Sequence, residues 1–274
     1  MMMLSEWHPI SIIGAGRMGH GLAIALERTG AEVGLLTRSR RPEETRHAGL
    51  VLLAVPDDAI LSMAAELAKE GAVSARQVVL HLSGLLDRRA LEPLAATGAG
   101  LGSFHPLQAI AEPSAAPELL AGSFAGLEGD GRALAAGEWV AETLGMRPVR
   151  LTPGAKPAYH AGAVIASNYA VVLADMAERL ARKAGLSKAD AAAMYLPLMQ
   201  GTVANLAGGS IAALTGPIRR GDAATVRAHL AALAPEDREL YRQLGLAALR
   251  LAREAGLPPA AAAAVQGTLE RRSE

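Results

Sequence analysis

Cysteine is missing from all 274 residues, which excludes a disulfide framework, a thiolate metal site and a cysteine nucleophile. Neither sign of charge is in excess: 27 Lys and Arg balance 27 Asp and Glu, so no field favours nucleic acid or an anionic membrane. No apolar run approaches the ~18 residues of a membrane span, and Met1 to Trp7 lacks the basic-then-apolar layout of a signal peptide. A soluble, cytoplasmic protein is expected. Aromatics are scarce, with two Trp, four Tyr and two Phe, while Ala, Leu, Arg and Gly abound. That bias is one of overall composition, so the Ala-rich stretches carry no functional weight. The length suffices for a good core and for two domains.

The most informative stretch is Pro9 to Val33. A short apolar strand, Ile10 to Ile13, runs into Gly14-x-Gly16-x-x-Gly19 and then into a helical pattern with Met18, Leu22, Ala25 and Leu26 on one side. Gly14 permits the tight turn, Gly16 lets backbone amides approach a pyrophosphate, and Gly19 lets the helix pack close to the strand. Phosphates over the positive end of that helix complete a dinucleotide site. The candidates for it are Gly14, Ala15, Gly16, Arg17, Met18 and Gly19. The next strand, Glu32 to Leu36, ends in Thr37-Arg38-Ser39-Arg40-Arg41 and meets no acid before Glu43. An NAD site usually carries an acid there, whereas a hydroxyl and guanidinium groups suit a 2′-phosphate. Thr37, Arg38, Ser39 and Arg40 therefore point to NADP (NADPH), the alternative being a solvated basic loop.

Further on, Leu50 to Val55 is a continuous apolar run, as expected of a strand buried on both faces, and Pro56-Asp57-Asp58 starts a helix reaching Leu67. Strand Gln77–Leu82, helix Asp87–Ala96, strand Gly100–Phe104, a Pro-rich loop from His105 to Pro117, strand Phe124–Leu127, helix Ala133–Leu144 and strand Pro148–Leu151 follow. This alternation predicts an α/β fold with a doubly wound parallel sheet. Only about a dozen residues separate the second strand from Leu50, so the usual helix and strand of that crossover are truncated and the adenine side stands open. After Thr152-Pro153-Gly154 the patterns are all helical, over about Pro157–Ala184, Lys188–Leu206, Ala223–Leu233, Pro235–Ala255 and Pro258–Arg271. Domains are expected at 1–152 and 153–274. The first long helix is apolar on nearly every side from Ala161 to Met176, so it is either buried centrally or part of a subunit interface.

Ligands of such sheets bind at the carboxyl ends of the strands. Four ends converge: the glycine turn, Val55-Pro56-Asp57, His81-Leu82-Ser83-Gly84 and Ser103-Phe104-His105-Pro106. Val55, Pro56, Asp57, His81 and Ser83 join the cofactor candidates. His105 is the better placed histidine, because Pro106 stiffens its loop; a structural role is the alternative for each. Lys156-Pro157-Ala158-Tyr159-His160 and Ser167-Asn168 place polar groups on a greasy helix, where an unpartnered amide or imidazole would cost a few kcal/mol. A ligand in the inter-domain cleft would satisfy them, as would a helix cap and a satisfied buried histidine. Asn205 and the turn Thr215 to Asp222, with Arg219 and Arg220, form a third candidate. It reads equally as a carboxylate site or as a solvated loop with Asp222 capping the next helix.

The opening motif, the Ala54-Val55-Pro56-Asp57 strand end and the helical second half resemble the group that includes 6-phosphogluconate dehydrogenase, 3-hydroxyisobutyrate dehydrogenase, pyrroline-5-carboxylate reductase and ketopantoate reductase. His81-x-Ser83-Gly84, Gly102-Ser-Phe-His105-Pro-Leu-Gln108, Lys156-x-x-Tyr159-His160 with Ser167-Asn168-Tyr169, and Leu214-Thr-Gly-Pro-x-x-Arg220-Gly-Asp222 are similar to a narrower family. Its members pair a Rossmann-like domain with a C-terminal domain of unknown function and are commonly labelled NADP oxidoreductases. His105-Pro106 is also similar to the His-Pro segment of prephenate dehydrogenases. The resemblance implies an enzyme transferring a hydride between NADP and a small polar substrate with a C=O/C–OH or C=N/C–N bond, and a homodimer built through the helical domain. In the hydroxyacid dehydrogenases of the wider group a helix lysine, with an asparagine four residues later, handles the reacting oxygen; Lys156 matches the lysine and His160 stands at the asparagine position. The expected catalytic set is Lys156 or His160 for proton exchange, Asn168 for orientation and His105 in support, with no metal. The other readings are a non-catalytic NADP-binding dimer, as sensor or scaffold, and a reductase coupled to a second redox cofactor such as a deazaflavin.

Overall fold

Leucine-, isoleucine- and valine-rich runs of four residues recur between amphipathic segments, and each forms a strand. The computed structural model describes residues 6–37 and 42–271. β1 (Ile10–Ile13) feeds α1 (Arg17–Glu27); β2 (Val33–Leu36) follows, then a 3-10 turn at Pro42–His47 and β3 (Leu50–Leu53). Then come α2 (Asp57–Lys69), β4 (Val78–His81), a 3-10 stretch at Arg88–Thr97, β5 (Gly100–Leu107), α3 (Ala116–Leu120), β6 (Phe124–Gly129), α4 (Gly131–Thr143) and β7 (Arg147–Arg150). The seven strands form one sheet in the order β2-β1-β3-β4-β5-β6-β7. Every pair is parallel except β5–β6. The truncated crossover leaves β2 at the sheet edge.

Alternation along the strands divides the core. Ile10, Ile12, Leu50, Leu52, Val78 and Leu80 pack on one face with Leu22 and Leu26 of α1 and Val140 of α4. Val51, Leu53 and Val79 face the other side, with Ile60, Ala64 and Leu67 of α2 and Leu91 and Leu94 of the 3-10 stretch. Both faces are covered, as a parallel sheet requires.

Beyond β7 the described chain is helical: α5 (Lys156–Ala166), α6 (Asn168–Lys183), α7 (Lys188–Met194), α8 (Leu196–Asn205), α9 (Ser210–Ala213), α10 (Gly216–Arg220), α11 (Ala223–Ala232), α12 (Pro235–Glu254) and α13 (Pro259–Glu270). Two compact units result, Met1–Asn168 and Tyr169–Glu274. The second has its own core, in which Met176, Val226, Leu230, Leu249, Val265 and Leu269 are buried. None of the described helices is long and apolar enough to cross a membrane.

Four local expectations change. The strand expected to stop at Phe104 continues to Leu107, because β6 pairs with it from Gly102 to Leu107 in antiparallel register. β4 pairs only as far as Ser103, so Pro106, which has no amide to donate, sits where one side of β5 is unpaired. The helix expected at Asp87–Ala96 is 3-10 in form; Pro93 lies inside it and the Asp87 carboxylate accepts from the Arg89 amide at its start. The long helix expected from Pro157 is broken at Ser167, whose backbone leaves helical values (φ −115°, ψ −71°), and most of its apolar stretch is exposed in the single chain rather than central. Lys156 to Asn168 accordingly belong to the first compact unit, not the second, because Lys156 and Tyr159 are anchored among the strand ends.

Candidate functional site

The glycine turn has the form a pyrophosphate needs. Gly14 adopts φ +115°, and a side chain on it would strike the Ala54 carbonyl. On Gly19, a side chain would strike the Gly14 carbonyl. Gly16 is the N-cap of α1, with no side-chain cap bond and no acid in the first turn, so the helix presents bare amides. A Cβ on Gly16 would meet no protein atom within 4 Å, so the space above it is open for a ligand. A cavity of about 630 Å³ opens there, lined among others by Gly14, Ala15, Gly16, Thr37, Val55 and Pro56. That volume lies within the range of ligand pockets. Arg17 is exposed beside it, while Met18 packs half-buried against the core and serves the fold. Arg38, Ser39 and Arg40 lie outside the described residues.

His81 and Ser83 act differently from the cofactor contacts expected of them. His81 is 0% exposed, and both ring nitrogens are engaged: Nε2 with the Asp87 carbonyl (3.1 Å) and Nδ1 with the Ser83 amide (3.3 Å). Since a carbonyl only accepts, Nε2 carries the proton and Nδ1 accepts. Burial, then the Lys156 charge, lowers this histidine to about 4, which keeps it neutral. The Ser83 hydroxyl donates to Asp57 Oδ2 (2.8 Å) and accepts from the amides of Leu85 (3.1 Å) and Leu86 (2.9 Å). Both side chains are therefore consumed in shaping the loop after β4, and Asp57 ties that loop to the first turn of α2.

Lys156 is likewise withdrawn. It is 1% exposed, and Nζ donates to the Ser83 carbonyl (2.6 Å) and to Ser103 Oγ (2.7 Å). Burial pulls its pKa to about 8 against the opposing carboxylates of Glu128, Asp57 and Asp87. The ammonium pins α5 to the ends of β4 and β5, and in this arrangement it is not open to a substrate.

A second cavity of about 710 Å³ contains the remaining catalytic candidates. His105, His160, Tyr159 and Asn168 line it together with Gln108 and Ser167. None of its lining residues is Lys, Arg, Asp or Glu. It is built wholly from the first compact unit, where an inter-domain cleft had been expected. His105 Nδ1 lies 3.0 Å from the Tyr159 hydroxyl. The His160 ring stands edge-on to the His105 ring, centroids 5.8 Å apart. A Cβ on Gly84 would meet His160 Nδ1 and lie 2.8 Å from His105 Nε2, so Gly84 alone leaves room for both nitrogens to converge. His160 Nδ1 is buried and has no partner among the described atoms. Burial, then the charges of Lys156 and His160, lowers His105 to about 4; burial raises Tyr159 to about 12 against a backbone hydrogen bond from Gly126.

Tyr159 and Gly84 stand within the sequence motifs without an assigned role, and Gly126 was not among the candidates. Gly126 is the partner of His105 across β5–β6, and a Cβ there would lie 2.8 Å from the Tyr159 hydroxyl. In the third candidate, Arg219 Nη2 donates to the Ala255 carbonyl (3.1 Å), Asp222 caps α11 through Thr225, and Arg219 and Arg220 line a cavity with Thr215. Asn205 is exposed at the end of α8. Among the described residues no three His, Asp or Glu side chains are grouped to hold a metal.

No curated protein matches the chain in sequence. Among solved structures, BF3122 of Bacteroides fragilis, named a "putative NADP oxidoreductase", is 21% identical over 89% of this chain and 98% of its own, with a TM-score of 0.72. TM1727 of Thermotoga maritima is 23% identical over 90% and 99%, at 0.69. The NADP-bound pyrroline carboxylate reductase of Plasmodium falciparum is 13% identical over 96% and 98%, at 0.59. These likenesses establish a shared fold. Residues 36–106 match the model of a Rossmann-like domain, and residues 123–265, more than half of the chain, match that of the domain of unknown function DUF2520. The chain belongs to the DUF2520 family, joined here to a Rossmann-like domain.

Proposed function

We propose that this protein is an NADP(H)-dependent oxidoreductase acting on a small substrate with a C=O/C–OH or C=N/C–N bond. The observation carrying this reading is the pairing of two cavities on one sheet edge. The bare N-terminus of α1 opens the first, beside the ends of β1 and β3, and His105 and His160 line the second, beyond the ends of β4 and β5. The residues fit a dinucleotide: amides of the Gly14–Gly19 turn would hold the pyrophosphate, Val55 and Pro56 would flank it, and Thr37 with Arg38, Ser39 and Arg40 would take the 2′-phosphate. The NADP held by the Plasmodium reductase supports the same choice. When bound, NADPH supplies a hydride; placement and proton handling fall to the chain.

In this reading His160, with its unpartnered buried Nδ1, exchanges a proton with the substrate heteroatom. Asn168 orients the substrate at the cleft rim. Lys156 holds the strand ends and, by its charge, helps keep His105 neutral. The uncharged lining favours substrates without phosphate or several carboxylates, since such groups would be desolvated without a counter-ion. The helical unit exposes Val171 (69%), Val203 (67%) and Leu198 (65%), with Tyr169, Val172 and Leu196 beside them in sequence. Exposed apolar side chains of this number fit a second copy of the chain and a homodimer.

The test is NADPH oxidation with a panel of aldehydes, ketones, keto acids and cyclic imines. His160→Ala is expected to lower the rate at least about 100-fold while leaving NADPH affinity within about twofold. An undiminished rate in that variant refutes the assignment of His160.

A further inference from the structure

The hydroxyl of Tyr159 has one proton and one nearby ring nitrogen to give it to. Its oxygen lies against Gly126, where a Cβ would come within 2.8 Å of it, and His105 Nδ1 lies 3.0 Å away. If Nδ1 bore hydrogen, the phenol's own proton would have no acceptor among the described groups. With the phenol donating, the hydroxyl proton and Nδ1 are both satisfied, and the imidazole proton must sit on Nε2. The phenol, raised to about 12, keeps its proton; the imidazole, lowered to about 4, does not gain a second one near neutrality. The charged and titratable groups acting on that ring are Lys156 and His160 from α5 and Asp57 from α2.

Nε2 is the His105 nitrogen that reaches Gly84, beside the unpartnered His160 Nδ1. We infer that Tyr159 is a positioning residue. Its hydroxyl holds His105 as the neutral Nε2–H tautomer, so this ring offers the cleft a hydrogen-bond donor and meets a substrate acceptor such as a carbonyl oxygen or an imine nitrogen. The role toward a substrate rests on the oxidoreductase reading above; the tautomer does not. Two adjacent imidazoles thereby take unlike tasks: His105 is a fixed donor, and His160 is the ring left free to exchange a proton. Gly126 belongs to the same device, because any side chain there would displace the Tyr159 hydroxyl.

The test is long-range proton–nitrogen NMR on the full chain labelled with ring-¹⁵N histidine, with His105→Gln assigning the signal. Wild type at about pH 7 is expected to give the neutral Nε2–H pattern, unchanged down to about pH 5 and titrating only near about pH 4. Tyr159→Phe keeps the ring and its packing but removes the donor, so the pattern is expected to shift toward a tautomer mixture. A purely structural role for Tyr159 predicts no such shift. In turnover, the same variant is expected to lower kcat about tenfold with the KM for NADPH unmoved. An Nδ1–H ring or an imidazolium in wild type overturns the inference, as does an unaltered pattern in Tyr159→Phe. The wild-type spectrum decides even if the variant fails to fold. Absence of NADPH binding, with the tautomer pattern as expected, would refute the oxidoreductase reading and leave the positioning by Tyr159 standing.

Discussion

Replacing Lys156 by Met tests how the strand ends are held. In the native protein the ammonium is buried and bonded only to neutral oxygens, and burial lowers its pKa from the ordinary 10.5 to about 8. The gap of about 2.5 converts, at about 1.4 kcal/mol for each tenfold in a proton equilibrium, to about 3 kcal/mol. Its sign follows from proton counting. Below about pH 8 both folded and unfolded chains carry the proton, and the cost of burying the charge is fully present. Between about pH 8 and about pH 10.5 the folded chain has lost the proton while the unfolded chain retains it. Stability therefore rises with pH across that window. Other groups also titrate there, so the quantity to follow is the stability of wild type minus that of Lys156→Met. Urea unfolding read by the fluorescence of Trp7 and Trp139, both in the first compact unit, reports on the relevant half of the chain. The difference is expected to grow by about 3 kcal/mol from about pH 7.5 to about pH 10.5. A flat difference would refute the burial argument. A falling one would mean that Glu128, Asp57 and Asp87 hold the ammonium as an ion pair that outweighs its desolvation.

Two further predictions follow from the same geometry. Gly16→Ala adds a methyl that meets no protein atom, at a backbone angle (φ −73°) any residue adopts. Stability is expected to hold or to rise by about 0.5 kcal/mol, whereas NADPH affinity falls at least about tenfold; thermal melting and calorimetry on one preparation separate the two. Val171→Asp combined with Val203→Asp puts charge at exposed apolar positions of α6 and α8 and is expected to turn a dimer into a monomer in light scattering. A wild type that is already monomeric would remove the second copy from the account.

The sheet was legible because burial on both faces writes unbroken apolar runs, such as Leu50 to Leu53, and because the turn at Gly14 to Gly19 tolerates nothing larger at two of its three glycines. The truncated crossover between β2 and β3 was legible from spacing alone. Polar residues near the strand ends were also found, but not their division of labour. His81 and His105 look alike in one dimension. Burial and two satisfied nitrogens make the first a loop brace, and a position on β5 beyond the reach of β4 opens the second to the cleft. The role of Tyr159 was not legible because its partner lies 54 residues away, and the register that brings Gly126 beneath it depends on a strand continuing through Pro106. Lys156 was expected to share proton exchange with His160, whereas two oxygen acceptors hold it in the interior.

Calorimetric titration of the purified full chain with NADPH, repeated with NADH, bears most directly on the claim that the glycine turn and the residues after β2 hold a 2′-phosphorylated dinucleotide. The account predicts one site per chain, with NADPH bound at least about tenfold more tightly than NADH, about 1.4 kcal/mol in its favour. No heat with either coenzyme, or a preference for NADH, would contradict it.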